Sequence, residues 1–154
     1  MITRRLILIG WVLLGTAGAV PAQDAKGRPP AAADTLVGQW AGNWDGAGEG
    51  KIDLTIKKGD TGKLTGRVAV TGDNGSYSAE FTAVTFDGRK LTIKYDFPMM
   101  AQTEITLEAA VDGGEVKGSW SLRPKGQDAA LAAGSWNGTK KKATGPSVGL
   151  PKSP

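Results

Sequence analysis

Between Leu36 and Lys141 the sequence alternates apolar and polar residues with period two, and Gly, Asp and Asn turns cut the alternation into short runs. Successive residues of a strand face opposite sides, so each run buries one face and wets the other. Eight runs follow one another: 36–44, 50–57, 64–71, 77–86, 90–97, 103–112, 115–123 and 133–141. Short connections make antiparallel neighbours. The pattern therefore predicts an all-β fold, a single eight-stranded antiparallel up-and-down β-barrel. Closure removes the exposed edges that an open sheet would leave.

The inward sets are continuous in most runs. Ile52, Leu54 and Ile56 share one face, as do Leu91, Ile93, Tyr95 and Phe97. The fourth run changes phase, with Tyr77, Ala79 and Phe81 on one face and Val84 and Phe86 on the other. A β-bulge near Thr82-Ala83 reconciles the two halves. Three Gly-x-Trp steps mark the ends of the strand order: Gly38-Gln39-Trp40, Gly118-Ser119-Trp120 and Gly134-Ser135-Trp136. Residues i and i+2 share a face. Each Gly is thus expected to open room that its own Trp fills where the barrel closes.

The flanks read differently. Arg4 and Arg5 precede an apolar run from Leu6 to Val20, and Val20-Pro21-Ala22 supplies small residues for cleavage before Gln23. Residues 1–22 are read as a signal peptide, which places the mature chain in the periplasm or outside the cell and leaves no membrane span after cleavage. The run of 15 residues is shorter than the ~20 that a spanning helix needs. Residues 23–35 form a flexible arm, 36–141 the barrel domain and 142–154 a disordered tail. Both flanks are rich in Pro, Ala, Gly and charge without periodicity. There is no Cys, so an exported fold of this kind holds together by burial alone.

The net charge of +4 comes from the ends. Without Arg4, Arg5, Lys140, Lys141, Lys142 and Lys152, residues 23–139 carry 13 basic and 15 acidic side chains. A nucleic-acid partner is excluded, because the barrel has no basic footprint. With no His and no Cys, triads, thiol nucleophiles and His-based zinc sites are excluded too. Asp45, Glu49, Asp73 and Asp128 lie on neighbouring mouth loops, where they could act as acid and base or hold Ca²⁺. No spacing matches a calcium loop, however, and Asp beside Gly is ordinary turn chemistry. No enzyme activity, catalytic residue, metal or cofactor is expected.

Loops of a meander alternate between the two barrel ends. Those at 58–62, 87–89 and 112–114 are polar Gly turns and predict a sealed end. Those at 45–49, 72–76, 98–102 and 124–132 include the longest connection and the apolar stretch Pro98-Met99-Met100-Ala101. Trp44, Tyr77, Phe97 and Trp136 lie at strand termini on this second end, and Met99 lies on its apolar loop. Together with Trp120 they are the expected ligand-binding residues at a barrel mouth. An eight-stranded barrel has an interior that side chains just fill, or that holds one small ligand. Both readings stand at this point.

Gly38-x-Trp40 on the first of eight meander strands resembles the opening motif of the calycins, the lipocalins and avidins. Trp120-Ser121-Leu122-Arg123, a loop and then Trp136-Asn137-Gly138-Thr139 resemble the last two avidin strands. The resemblance implies a barrel that takes a ligand at its mouth. Avidins use an Asn and a Ser for biotin where this chain has Gly42 and Gly46. The Thr-Asp-Tyr-like motif of lipocalins is absent. The stretch Ala33 to Trp40 is also similar to the opening of small periplasmic inhibitors of bacterial metalloproteases, in which a flexible arm enters the protease cleft. Those inhibitors normally carry a disulfide. The sequence thus leads to an exported, non-enzymatic binding protein for a small apolar or aromatic ligand. The alternative is a protein-binding barrel, either an inhibitor acting through its arm or an envelope module acting through the loop at 98–101.

Overall fold

The alternating runs become eight strands in a computed structural model that describes residues 32–73 and 75–142. They are β1 (Gly38–Asp45), β2 (Glu49–Lys58), β3 (Leu64–Gly72), β4 (Gly75–Phe86), β5 (Lys90–Asp96), β6 (Thr103–Asp112), β7 (Glu115–Pro124) and β8 (Ala132–Lys140). Every strand pairs antiparallel with the next, and β1 pairs with β8, so the sheet is a closed up-and-down barrel. The signal peptide, arm residues 23–31 and the tail from 143 lie outside the described residues. Among the described residues no helix is long and apolar enough to cross a membrane.

The inward faces are those of the alternation. Ile52, Leu54 and Ile56 of β2, Val68 and Val70 of β3, Leu91, Ile93 and Tyr95 of β5, and Leu107 and Ala109 of β6 are all buried. The bulge falls in β4, where the register steps from Phe81 opposite Tyr95 to Ala83 opposite Lys94. The skipped Thr82 donates its hydroxyl to the Lys94 carbonyl at 3.0 Å. The step brings Val84 and Phe86 opposite Ile93 and Leu91.

The start of the barrel departs from the sequence reading. Leu36 does not open the first strand, and Ala33 to Thr35 are not part of a free arm. Residues Ala33–Leu36 form a single 3-10 turn, and β1 begins at Gly38. The turn is closed locally by Thr35, whose backbone N–H reaches the Ala32 carbonyl at 2.9 Å and whose hydroxyl reaches it at 2.7 Å. It drives Leu36 into the base of the barrel, where the side chain is 0 % exposed. The Trp40 indole N–H donates to the Leu36 carbonyl at 2.8 Å. Outside, Lys58 pairs with Asp34 at 2.7 Å and the Lys140 ammonium donates to the Thr35 carbonyl at 2.6 Å. The entering chain is thereby a floor.

The other turns at this end are tight. Asp87 accepts from the backbone N–H groups of Lys90 at 2.7 Å and Arg89 at 2.8 Å. These bonds, that from Lys90 foremost, hold its carboxyl below the ordinary value of 3.8.

Candidate functional site

A tryptophan is too large to stand upright in an eight-stranded barrel without crowding its axis. Three of them instead lie along the wall. In the antiparallel pairing of β7 and β8, Trp120 faces Gly134 and Trp136 faces Gly118. Each Trp uses the glycine of the other motif, not the one two residues before it. The Trp120 indole crosses Gly134 and donates to the Asp45 carbonyl of β1 at 2.7 Å. The Trp136 indole crosses Gly118 and donates to the Glu108 carbonyl of β6 at 3.3 Å. Trp44 repeats the arrangement, opposite Gly50 of β2, with its N–H 3.4 Å from the Thr71 carbonyl of β3.

These indoles lie flat against the sheet, and the upper barrel keeps open space. A cavity of about 180 Å³ lies beneath the mouth and is open to solvent there. Ile52, Val70, Ile105, Leu107 and Leu122 form its aliphatic walls. Trp44 and Trp120 meet edge to face, with ring centroids 5.8 Å apart. Tyr77 and Phe97 meet the same way at 5.3 Å. In the closed strand order this pair, from β4 and the residue after β5, stands across the barrel from β8 and β1. The lower half is filled by Leu36, Trp40, Ile56, Leu91, Ile93, Val116 and their neighbours. The lower half is thus filled by side chains, and the upper half keeps open space.

Of the residues singled out from the sequence, the structure brings Trp44, Tyr77, Phe97, Met99 and Trp120 together on the cavity wall. Trp136 is elsewhere. It sits opposite Trp44 across the seam, but its ring runs toward β6 and is only 2 % exposed, one layer below the cavity. Tyr95 joins the wall instead. Its position two residues before Phe97 on the inward face was the available signal, because a phenol in an otherwise aliphatic face demands a partner.

That partner is Tyr77. The two hydroxyls are 3.2 Å apart. Burial first, and then the neighbouring Tyr77, push the Tyr95 phenol far above its ordinary value of 10.0. Burial raises Tyr77 as well, against a smaller opposing effect of its hydrogen bond with Tyr95. No carboxylate, ammonium or guanidinium lines the cavity. The arrangement is suited to holding apolar surface away from water.

The rim is apolar. Met99 is 59 % exposed, Met100 45 % and Leu131 57 %. Their loops are shaped by backbone bonds: Phe97 N–H to the Thr103 carbonyl at 3.1 Å, and Lys125 N–H to the Gln102 carbonyl at 2.8 Å. Gln102 takes a left-handed conformation with φ 60° to close the first of them. Asp45 spends its carboxylate on the seam, accepting from the Ser135 hydroxyl at 2.8 Å and the Ser135 N–H at 3.1 Å. Among the described residues, no three His, Cys, Asp or Glu side chains gather where they would hold a metal ion. No protein-family model matches this chain, and no curated protein matches it either.

Proposed function

We propose that this chain is an exported, non-enzymatic binding barrel that holds a small apolar or aromatic molecule at its mouth. The observation that carries the reading is the division of the interior. A barrel of this size has enough inward side chains to fill itself, yet three indoles lie on the wall over glycines and leave the upper axis open. The lining is aromatic and aliphatic, which is the usual character of small-molecule sites. The leader read from the sequence supports export to the periplasm or beyond.

The barrel architecture is consistent with a calycin-like protein, and the Gly38-x-Trp40 opening points the same way. A biotin-type donor set has no room here. A side chain at Gly42 would run into the Asn137 carbonyl, and one at Gly46 would stand 2.6 Å from the Gly134 Cα.

Native mass spectrometry of the mature protein purified from its own compartment tests the reading. A retained small-molecule mass, lost on denaturation and missing from a cavity-filling Val70→Phe variant, supports it. A bare polypeptide mass, with Trp emission that ethylbenzene does not change, overturns it.

The exposed Met99, Met100 and Leu131 favour a second reading, in which a protein partner docks on the mouth loops. The inhibitor version would act from the opposite end, because the arm joins the barrel at its floor. Deleting residues 23–31 separates the two: an inhibitor loses potency, and a mouth-binding protein does not.

A further inference from the structure

The cavity lining carries four side-chain nitrogen or oxygen atoms. The indole N–H groups of Trp44 and Trp120 are already committed to the carbonyls of Thr71 and Asp45. The hydroxyls of Tyr77 and Tyr95 are committed only to each other. Two hydroxyls bring two protons, and one contact uses one of them. The second proton has no acceptor among the described residues. Water from the mouth can take it, and a ligand that displaces such water without replacing its bond loses affinity. A donor left unpaired in an apolar space opposes binding.

Charge and size narrow the ligand further. With no charged group on the lining, an anion would be buried without a counterion, which is strongly unfavourable. The phenols stay protonated well past neutral pH because burial disfavours the phenolate. An enclosed apolar space of about 150 Å³ accepts benzene. The 180 Å³ here suits one ring with a short substituent.

Resting on the reading of the mouth as a binding site, we propose that the ligand is an uncharged, single-ring-sized molecule with one accepting oxygen, which takes the unused hydroxyl proton of the Tyr77–Tyr95 pair. Its ring lies between the Trp44–Trp120 and Tyr77–Phe97 pairs, and its oxygen points down to the two paired hydroxyls.

Acetophenone and α-methylstyrene test this, because they share a shape and differ in C=O against C=CH₂. Each is titrated into the mature protein, followed by Trp fluorescence. Either single Tyr→Phe variant leaves one hydroxyl with a proton to give. The decisive protein is therefore the double variant Tyr77→Phe, Tyr95→Phe. Acetophenone is expected to weaken roughly 3- to 10-fold in it, while α-methylstyrene changes by less than about twofold. Benzoate is expected not to bind at neutral pH.

If both probes bind and their affinity ratio is the same in wild type and double variant, the oxygen preference is overturned and the cavity reading stands. If neither probe binds wild type, the cavity reading falls and this proposal falls with it. Saturable binding of benzoate or benzyltrimethylammonium more tightly than acetophenone also overturns the proposal. Should the double variant fail to fold, the carbonyl stretch of acetophenone bound to wild type decides. A shift to lower frequency relative to hexane supports the bond, and no shift overturns it.

Discussion

Trp120 stands directly opposite Gly134, and its indole N–H passes over that glycine to the Asp45 carbonyl on the strand beyond. One side chain thus ties β7 to β1 across β8. Trp136 does the reverse over Gly118, tying β8 to β6. The two ties are reciprocal because the two Gly-x-Trp steps are antiparallel partners.

Gly134→Ala and Gly118→Ala are expected to destabilise the barrel by about 3 kcal/mol each. A methyl at Gly134 would run into the Asp45 carbonyl and stand 2.6 Å from the Trp120 Nε1. At Gly118 it would run into the Glu108 carbonyl. Gly114 is the control, since a methyl there meets nothing within 4 Å. Gly114→Ala is expected to stay within about 0.5 kcal/mol of wild type. Urea unfolding midpoints of the three variants check the order.

The floor carries a second expectation. Leu36→Ala should cost about 3 kcal/mol, as for any fully buried leucine whose site cannot collapse. Lys58→Ala, which removes the exposed pair with Asp34, should cost less than about 1 kcal/mol. A Leu36→Ala chain as stable as wild type would mean that the turn at 33–36 is not seated in the barrel. Hydrogen exchange at the Trp40 indole, bonded to the Leu36 carbonyl, reads the same seating directly.

Alkaline titration is unusually clean, because the chain has only two tyrosines and both are in the cavity wall. Their folded pKa values lie above the ordinary 10.0. Below that pH the phenols are neutral in the folded and unfolded chain alike, and nothing is lost. Above it the unfolded chain releases protons that the folded chain retains. Stability therefore falls as pH rises, by up to about 1.4 kcal/mol per pH unit for each retained proton. Phenolate absorbance should stay flat as the folded protein passes pH 10 and appear together with the loss of β-sheet circular dichroism. Two phenols ionising in a protein that is still folded would contradict the buried pair.

The strands were legible because alternation and turn residues agree along most of the barrel. The bulge at Thr82 was legible for the same reason, since a phase change between Phe81 and Val84 has one simple cure. Leu36 was not. It shares its phase with Gly38 and Trp40, and period two cannot tell a strand from a turn that happens to bury the same residue. The direction of each indole was also hidden. Trp136 and Trp44 sit at one level of the seam, yet one ring turns toward β6 and the other toward β3. Only the register, by placing a glycine beside each ring, decides the direction. For the same reason the apolar residues on the inward faces do not by themselves say whether the interior is full. Ring volume laid along the wall does not occupy the axis.

Both ends of the described chain leave the barrel at one pole. Ala32 runs into the floor turn, and Lys141 follows the floor end of β8, its N–H on the Gln39 carbonyl at 2.8 Å. A copy trimmed to residues 32–142 and attached to a bead through either of those ends therefore stands with its opening outward. A partner joined directly at Ala32 or Lys142 would shadow only the closed base.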